Sequence, residues 1–383
     1  MFRRFAPILS LGLLTAAAGW AQTILDDGTP VTILNQRLAM GPPQSQFGVA
    51  AVGLPFFTAG VQSFTTTLPI TWIGSNPTIP GAGTSTVPVV IVPLIVNFLD
   101  GSGTLDATSI VANTIQSPLF TPVDFTTGGT DLGVTQYPDA VQRAEFWTWT
   151  NPSGVSPNYH VLLGGPTVLP PVTINVPVGS GHVFHTRVGN LPLGLVNDSF
   201  WEPAITSLLP TIGATPNELP IFLAMNIGLY IGTTSNCCIL GYHNSTSGGA
   251  STAQTWIFAS WTSAGIFSGF QDVLGLSHEI SEWMNDPFVG ALFLQVPGVN
   301  WVAPYTRPGQ AGCQVNFETG DAVEALANAG GFPVLGATNG FTYHLEDAVF
   351  VWWFTHATPS PAVNGQYTFN NILSAPSVLC GPG

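Results

Sequence analysis

The chain has 383 residues, of which 45% are hydrophobic and only 7% charged; its six arginines, with no lysine, face twenty acids for a formal net charge of −14. Such a surface repels phosphate backbones and anionic headgroups, which excludes nucleic acid and an anionic membrane surface as partners. Solubility is left to the carboxylates and to polar Thr, Ser and Asn.

Residues 1–21 have the form of a secretory signal. Arg3 and Arg4 make a charged start, Ala6 to Ala18 an apolar core, and Gly19-Trp20-Ala21 a small-x-small cleavage site before Gln22. The core is too short to span a bilayer, and the longest later apolar run, Val87 to Phe98, is interrupted by Pro88 and Pro93. The expectation is an exported protein, extracellular or periplasmic, with no membrane insertion after signal cleavage. Four cysteines in that compartment predict two disulfides. Neighbouring cysteines are hard to bridge with standard geometry, so Cys237 and Cys238 are expected to pair separately with Cys313 and Cys380.

Residues 22–86 are rich in Gly, Pro and Thr, with short extended runs at Val31 to Leu34 and Phe64 to Trp72; they read as a strand-and-loop region lying on a main domain over 87–383. Val89 to Phe98 reads as a buried strand, Asp106 as the cap of a helix to Gln116, and Tyr137-Pro138-Asp139 as the opening of a helix to Trp147. Strands fit 159–163, 172–176 and 182–187. On the last, His182 and His185 face opposite sides and do not serve one ion. A helix over Ser199 to Leu209 precedes a long strand over Leu219 to Ile231. Thr255 to Trp261 is then the strand before a helix that starts at Ser268 or Gly269. This alternation predicts an α/β fold: a single domain with a mixed sheet built from 89–98, 219–231 and 255–261, and the 270–285 helix packed on it.

That helix carries His278-Glu279-Ile280-Ser281-Glu282, then Asn285-Asp286-Pro287. His278 and Glu282, four apart, project from one face and can hold one metal ion. Glu279 sits one step round, where H-E-x-x-H zinc helices keep the general base beside the water that the metal activates. Glu282 stands in place of the second histidine, and zinc accepts carboxylate oxygen. Leu274, Leu276, Ile280, Trp283 and Met284 wrap most of the circumference, which predicts a buried helix whose three ionisable groups need a partner. A cation is the simplest partner; solvated charges on an exposed helix are the alternative. Zinc in a catalytic site takes a third protein ligand, expected from Glu318 or Asp321, with Gly320 between them allowing a close approach and the other acid orienting a ligand. Asp321 as the cap of a helix over Ala322 to Asn328 is the competing reading for that residue. His243 and His344 are reserve ligands, and His356 is less suited.

In this order, Ser277 to Glu282, Asn285-Asp286-Pro287, Glu318-Thr319-Gly320-Asp321 and the C-terminal Cys380-Gly381-Pro382-Gly383 resemble the exordium, or phosphate-induced, family of plants and its secreted bacterial relatives, over residues 220–383. The cysteine that usually follows the Gly-Asp pair in that family is absent, and Cys313 lies before it instead. The resemblance implies a secreted protein and names no reaction, since the family has no settled enzyme activity. The likeness to zinc metallopeptidases covers five residues, one of them substituted. Two functions follow. One is a secreted zinc-dependent hydrolase, a metallopeptidase on a peptide or other extracellular substrate, with Glu279 as catalytic base and His278, Glu282 and Glu318 or Asp321 on zinc. The other is a non-catalytic extracellular or cell-envelope protein with a structural metal. An open coordination position favours the first; a closed shell that includes Glu279 favours the second.

Overall fold

Strands that are apolar at nearly every position need cover on both faces, and that requirement sets the architecture. A computed structural model describes residues 22–33, 54–64, 66–246, 253–289, 301–310 and 312–380. The expected signal segment, Leu34 and Gly381 to Gly383 lie outside them. Four strands form the middle of the main sheet: Val89–Phe98 (β1), Leu219–Met225 (β2), Gly241–Ser245 (β3) and Thr255–Phe267 (β4). Their order is β1-β2-β4-β3, with the first two pairings parallel and the last antiparallel. Further strands join at β1, and Phe270–Asp272 (β5) folds back on β4, for eight strands in all. The expected α/β fold with a mixed sheet is therefore present, and the three named runs build it.

The register places Ile91, Ile221 and Ile257 level with one another on one face, and Val92, Phe222 and Phe258 on the other. Three longer helices cover these faces: Tyr137–Glu145 (α1), Asp198–Thr211 (α2) and Leu274–Asn285 (α3). On the second face Trp201, Ile205 and Leu209 of α2 pack against Phe222 and Phe258. On the first face the isoleucines share a core with Leu276, Ile280, Trp283 and Met284 of α3, with Ala140 and Val141 of α1, and with Ile70 and Trp72 from the hairpin Phe56–Ser63/Thr66–Ile73. Burial of Ile280 and Met284 is worth about 2 kcal/mol each. Trp283 adds a tie to β4 through its indole N–H, which donates to Thr255 Oγ1 at 3.1 Å. These contacts hold α3 on the sheet although its opposite face is charged.

Several sequence expectations are corrected. The run 219–231 is not one strand: Asn226 takes a left-handed conformation (φ 53°), and Ile227–Tyr230 leaves for a four-stranded sheet beside Pro192–Asn197. Asparagine accepts that conformation more readily than most residues. The α3 helix does not start at Ser268 or Gly269; the strand continues to Phe267, and Gly269 (φ 75°) makes the turn into β5. Residues 322–326 form no α-helix, so Asp321 does not cap the one expected there. Asp106 does cap, accepting from Thr108 N at 2.8 Å, but a 3-10 turn precedes the α-helical Val111–Ile115. The cysteines form two disulfides with none left free, yet the pairs are Cys237–Cys238 and Cys313–Cys380. Cys237 and Cys238 are fully buried in a small core with Leu193, Leu195 and Phe270, away from the two partners expected for them. Among the described residues no helix is long and apolar enough to cross a membrane.

Two outcomes follow. Non-reducing digestion should release a peptide that links Cys313 to Cys380 and none that links either to Cys237 or Cys238. The second concerns Glu145, whose Oε1 accepts from Val351 N at 2.6 Å while burial pushes its pKa up to about 8. A carboxyl raised in this way favours the folded state while protonated. That contribution is complete below the ordinary glutamate value and is lost as pH rises to about 8. Thermal stability should therefore fall from about pH 5 to about pH 8, and Glu145→Gln should remove a share of that fall on the order of a few kcal/mol. An unchanged slope in the variant would contradict this assignment.

Candidate metal centre

His278, Glu279 and Glu282 are 9%, 4% and 4% exposed, which removes the reading of α3 as a solvated polar helix. His278 Nε2 lies 3.2 Å from Glu282 Oε2 and 3.8 Å from Asp321 Oδ1. The donor atoms of these three residues fall within 4.8 Å of one another. Ligands about 2.0–2.2 Å from one tetrahedral ion stand about 3.3–3.6 Å apart, so small side-chain movements suffice to close the set on an ion.

Each ligand candidate has its other polar atom committed elsewhere. His278 Nδ1 is 2.6 Å from Glu346 Oε2, a close charged contact bent away from good hydrogen-bond alignment. Glu346 ends the strand Thr342–Glu346 (β6), and its backbone N–H donates to Ser277 Oγ at 2.8 Å, which ties that strand to α3. A carboxylate behind Nδ1 holds the proton there and leaves Nε2 for a metal. Glu282 Oε1 accepts from the backbone N–H groups of Gly320 and Asp321 at 3.1 and 3.3 Å, so Oε2 is the oxygen turned to His278. Asp321 Oδ2 pairs with Arg307 at 2.5 Å, so Oδ1 is the oxygen turned to His278. The Glu318–Asp321 turn comes this close because residue 320 is glycine. A Cβ there would stand 2.3 Å from His278 Nδ1 and 2.4 Å from Glu346 Oε2.

Glu279 stands beside this set and belongs to neither group of converging donors. Its Oε1 is 4.0 Å from His278 Nε2, and its Oε2 is 3.3 Å from Nδ1 of His243 on β3. His243 Nε2 donates to the Asp286 carbonyl at 3.1 Å. Glu318 does not join His278; it converges with His243 and Glu282. Of the two reserve ligands, His243 joins a converging group, whereas His344 pairs with Asp272 at 2.6 Å and belongs to neither; His356, the less suited candidate, lies 2.8 Å from the Ser377 carbonyl oxygen and also belongs to neither. Sequence reasoning did not anticipate Glu346, Arg307 or Glu324. The available signals were the density of acids from Asp272 to Asp347 and a lone arginine among them.

Seven carboxylates gather here: Glu279, Glu282, Asp286, Glu318, Asp321, Glu324 and Glu346. Burial pushes Glu346 up to about 7 although His278 pulls it down. Burial and neighbouring carboxylates raise Glu318 and Glu324 well above the usual range. His278, which burial alone would lower, is raised well above its ordinary value by Glu282 and Glu346. Glu282 is held down at about 2 against burial, chiefly by His278. The cluster thus holds protons on His278 and on raised carboxyls, and a divalent ion can take their place among the buried donors.

No protein-family model, no curated protein and no solved structure matches this chain, so the interpretation of the centre rests on its geometry.

The close approach of the 318–321 turn is testable in the fold itself. Gly320→Ala should cost about 1–3 kcal/mol in denaturant unfolding, because the new methyl displaces His278 or Glu346. Gly165→Ala, whose Cβ meets nothing within 4 Å, is the control and should lie within about 0.5 kcal/mol of the parent. Equal effects at both positions would mean that the turn does not need its glycine.

Proposed function

We propose that this protein is a secreted zinc-dependent hydrolase that cleaves peptide bonds, with His278, Glu282 and Asp321 as metal ligands and Glu279 as general base. The observation that carries the reading is the division of labour within the three ligands. Glu346, the Gly320 and Asp321 N–H groups and Arg307 each meet one side of a ligand, and Nε2, Oε2 and Oδ1 are the atoms that converge. Three protein donors leave a fourth position for water or substrate, the arrangement of catalytic rather than structural zinc. A bound zinc ion supplies the Lewis acidity that activates a water and polarises a carbonyl. The oxygen-rich donors also suit Mn²⁺.

The chain's own residues supply the rest. Glu279 Oε1, 4.0 Å from His278 Nε2, stands beside the donor set without belonging to it, within reach of a water at the open position. Burial raises its pKa, which makes it a stronger base than a solvated glutamate, while His243 at Oε2 holds its orientation. Gly241 on β3 makes room for that carboxylate, since a Cβ there would stand 2.7 Å from Glu279 Cγ. Peptide is preferred as substrate because the His-Glu-x-x pattern resembles that of metallopeptidases. A second reading, an exordium-like extracellular or cell-envelope protein with a structural metal, draws support from how little of the centre is exposed.

Metal content and proteolysis separate the two readings. His278→Ala should lose stoichiometric metal and activity on a general protein substrate together. Glu279→Gln should keep the metal and lose activity by about 100-fold or more. Full metal in His278→Ala would refute the ligand set, whereas full activity in Glu279→Gln would refute the base. Glu346→Gln should weaken Zn²⁺ binding about 10- to 100-fold in a chelator competition, because the carboxylate that orients His278 is lost.

A further inference from the structure

His243, Glu282 and Glu318 form a second donor set whose atoms also lie within 4.8 Å of one another. We propose that this set is a second divalent-cation position that shares Glu282 with the His278–Glu282–Asp321 position, so that the centre is binuclear. The inference rests on the reading of the first position as a metal site.

Glu318 Oε2 is enclosed by protein and has no hydrogen-bond partner, an unfavourable state for a carboxylate oxygen unless a cation meets it. Arg307 directs NH2 to Asp321 Oδ2. His243 is oriented as a metal-bound imidazole would be. Its Nε2 faces the Asp286 carbonyl at 3.1 Å, and a carbonyl only accepts, so Nε2 carries the proton. The other ring nitrogen, Nδ1, is then the one turned to the carboxylates, 3.3 Å from Glu279 Oε2 and 3.7 Å from Glu282 Oε2. Glu282 Oε2 thus stands between two imidazoles, 3.2 Å from His278 Nε2 and 3.7 Å from His243 Nδ1. A shared carboxylate is a natural bridge for two ions about 3.5–4 Å apart. With the second ion bound, His243 Nδ1 exchanges its contact with Glu279 Oε2 for the metal. Glu279 Oε1 still faces His278 at 4.0 Å, but the base gives up the His243 contact that orients it when only the first position is filled.

The test counts ions and their separation. The unmodified protein equilibrated with Zn²⁺ should retain about two equivalents, and loaded with Mn²⁺ it should give the multi-line paramagnetic resonance spectrum of a coupled pair. His243→Ala should hold about one equivalent and show the spectrum of isolated Mn²⁺, as should Glu318→Gln, an isosteric change that decides the matter if His243→Ala fails to fold. One equivalent in the parent, unchanged in both variants, overturns the second position and leaves the first standing. Two equivalents that persist in both variants also overturn it. No retained metal in the parent overturns the first position as well, and with it the hydrolase reading.

Discussion

The packing around α3 depends on one constraint: a helix whose apolar side is held in the core must keep His278, Glu279 and Glu282 buried on its other side. Charged groups withdrawn from water are tolerated only with close partners. Those partners are drawn from four separate parts of the chain: His243 on β3, Arg307, the Glu318–Asp321 turn, and Glu346 on β6. Arg307 pairs with Asp321, and the Gly320 and Asp321 N–H groups hold Glu282, whereas Glu318 Oε2 and the Glu346 carboxylate oxygens stay without hydrogen-bond partners.

The mixed sheet serves the centre by position. β3 and β4 are antiparallel neighbours, and α3 follows β4 through the short return strand β5, so the helix lies back over both strands. That brings His243 against the Glu279 side of the helix while β6 approaches from the His278 side. Glycines at 241 and 320 mark the two closest backbone approaches, one to Glu279 and one to His278. A cluster built this way is more rigid than one hung from loops alone, because His243 and Glu346 come from strands and His278, Glu279 and Glu282 from one helix.

Local features of this arrangement were legible in the sequence. The buried helix followed from apolar residues around its circumference, and the pairing of His278 with Glu282 from their spacing of four. The close approach at Gly320 followed from the residue type between two acids. Features that depend on distant parts of the chain were not legible. Glu346 lies 68 positions beyond His278, a span that no periodicity reads, and tertiary contacts such as the hydrogen bond from its N–H to Ser277 Oγ bring it back. Asn226 looked like part of a continuous apolar strand because its neighbours are apolar, yet its left-handed backbone moves the chain into another sheet. The cysteine pairing failed for a related reason: which cores the four residues enter is set by tertiary position.

The reading of this centre stands or falls on whether an ion sits among the three converging atoms. The direct measurement is an anomalous-difference map at the zinc edge from crystals of the full chain grown with Zn²⁺. The account predicts a peak about 2.0–2.2 Å from His278 Nε2, Glu282 Oε2 and Asp321 Oδ1, with Glu279 outside the coordination shell. A map without a peak there, or with Glu279 bound and no open position on the ion, would contradict it.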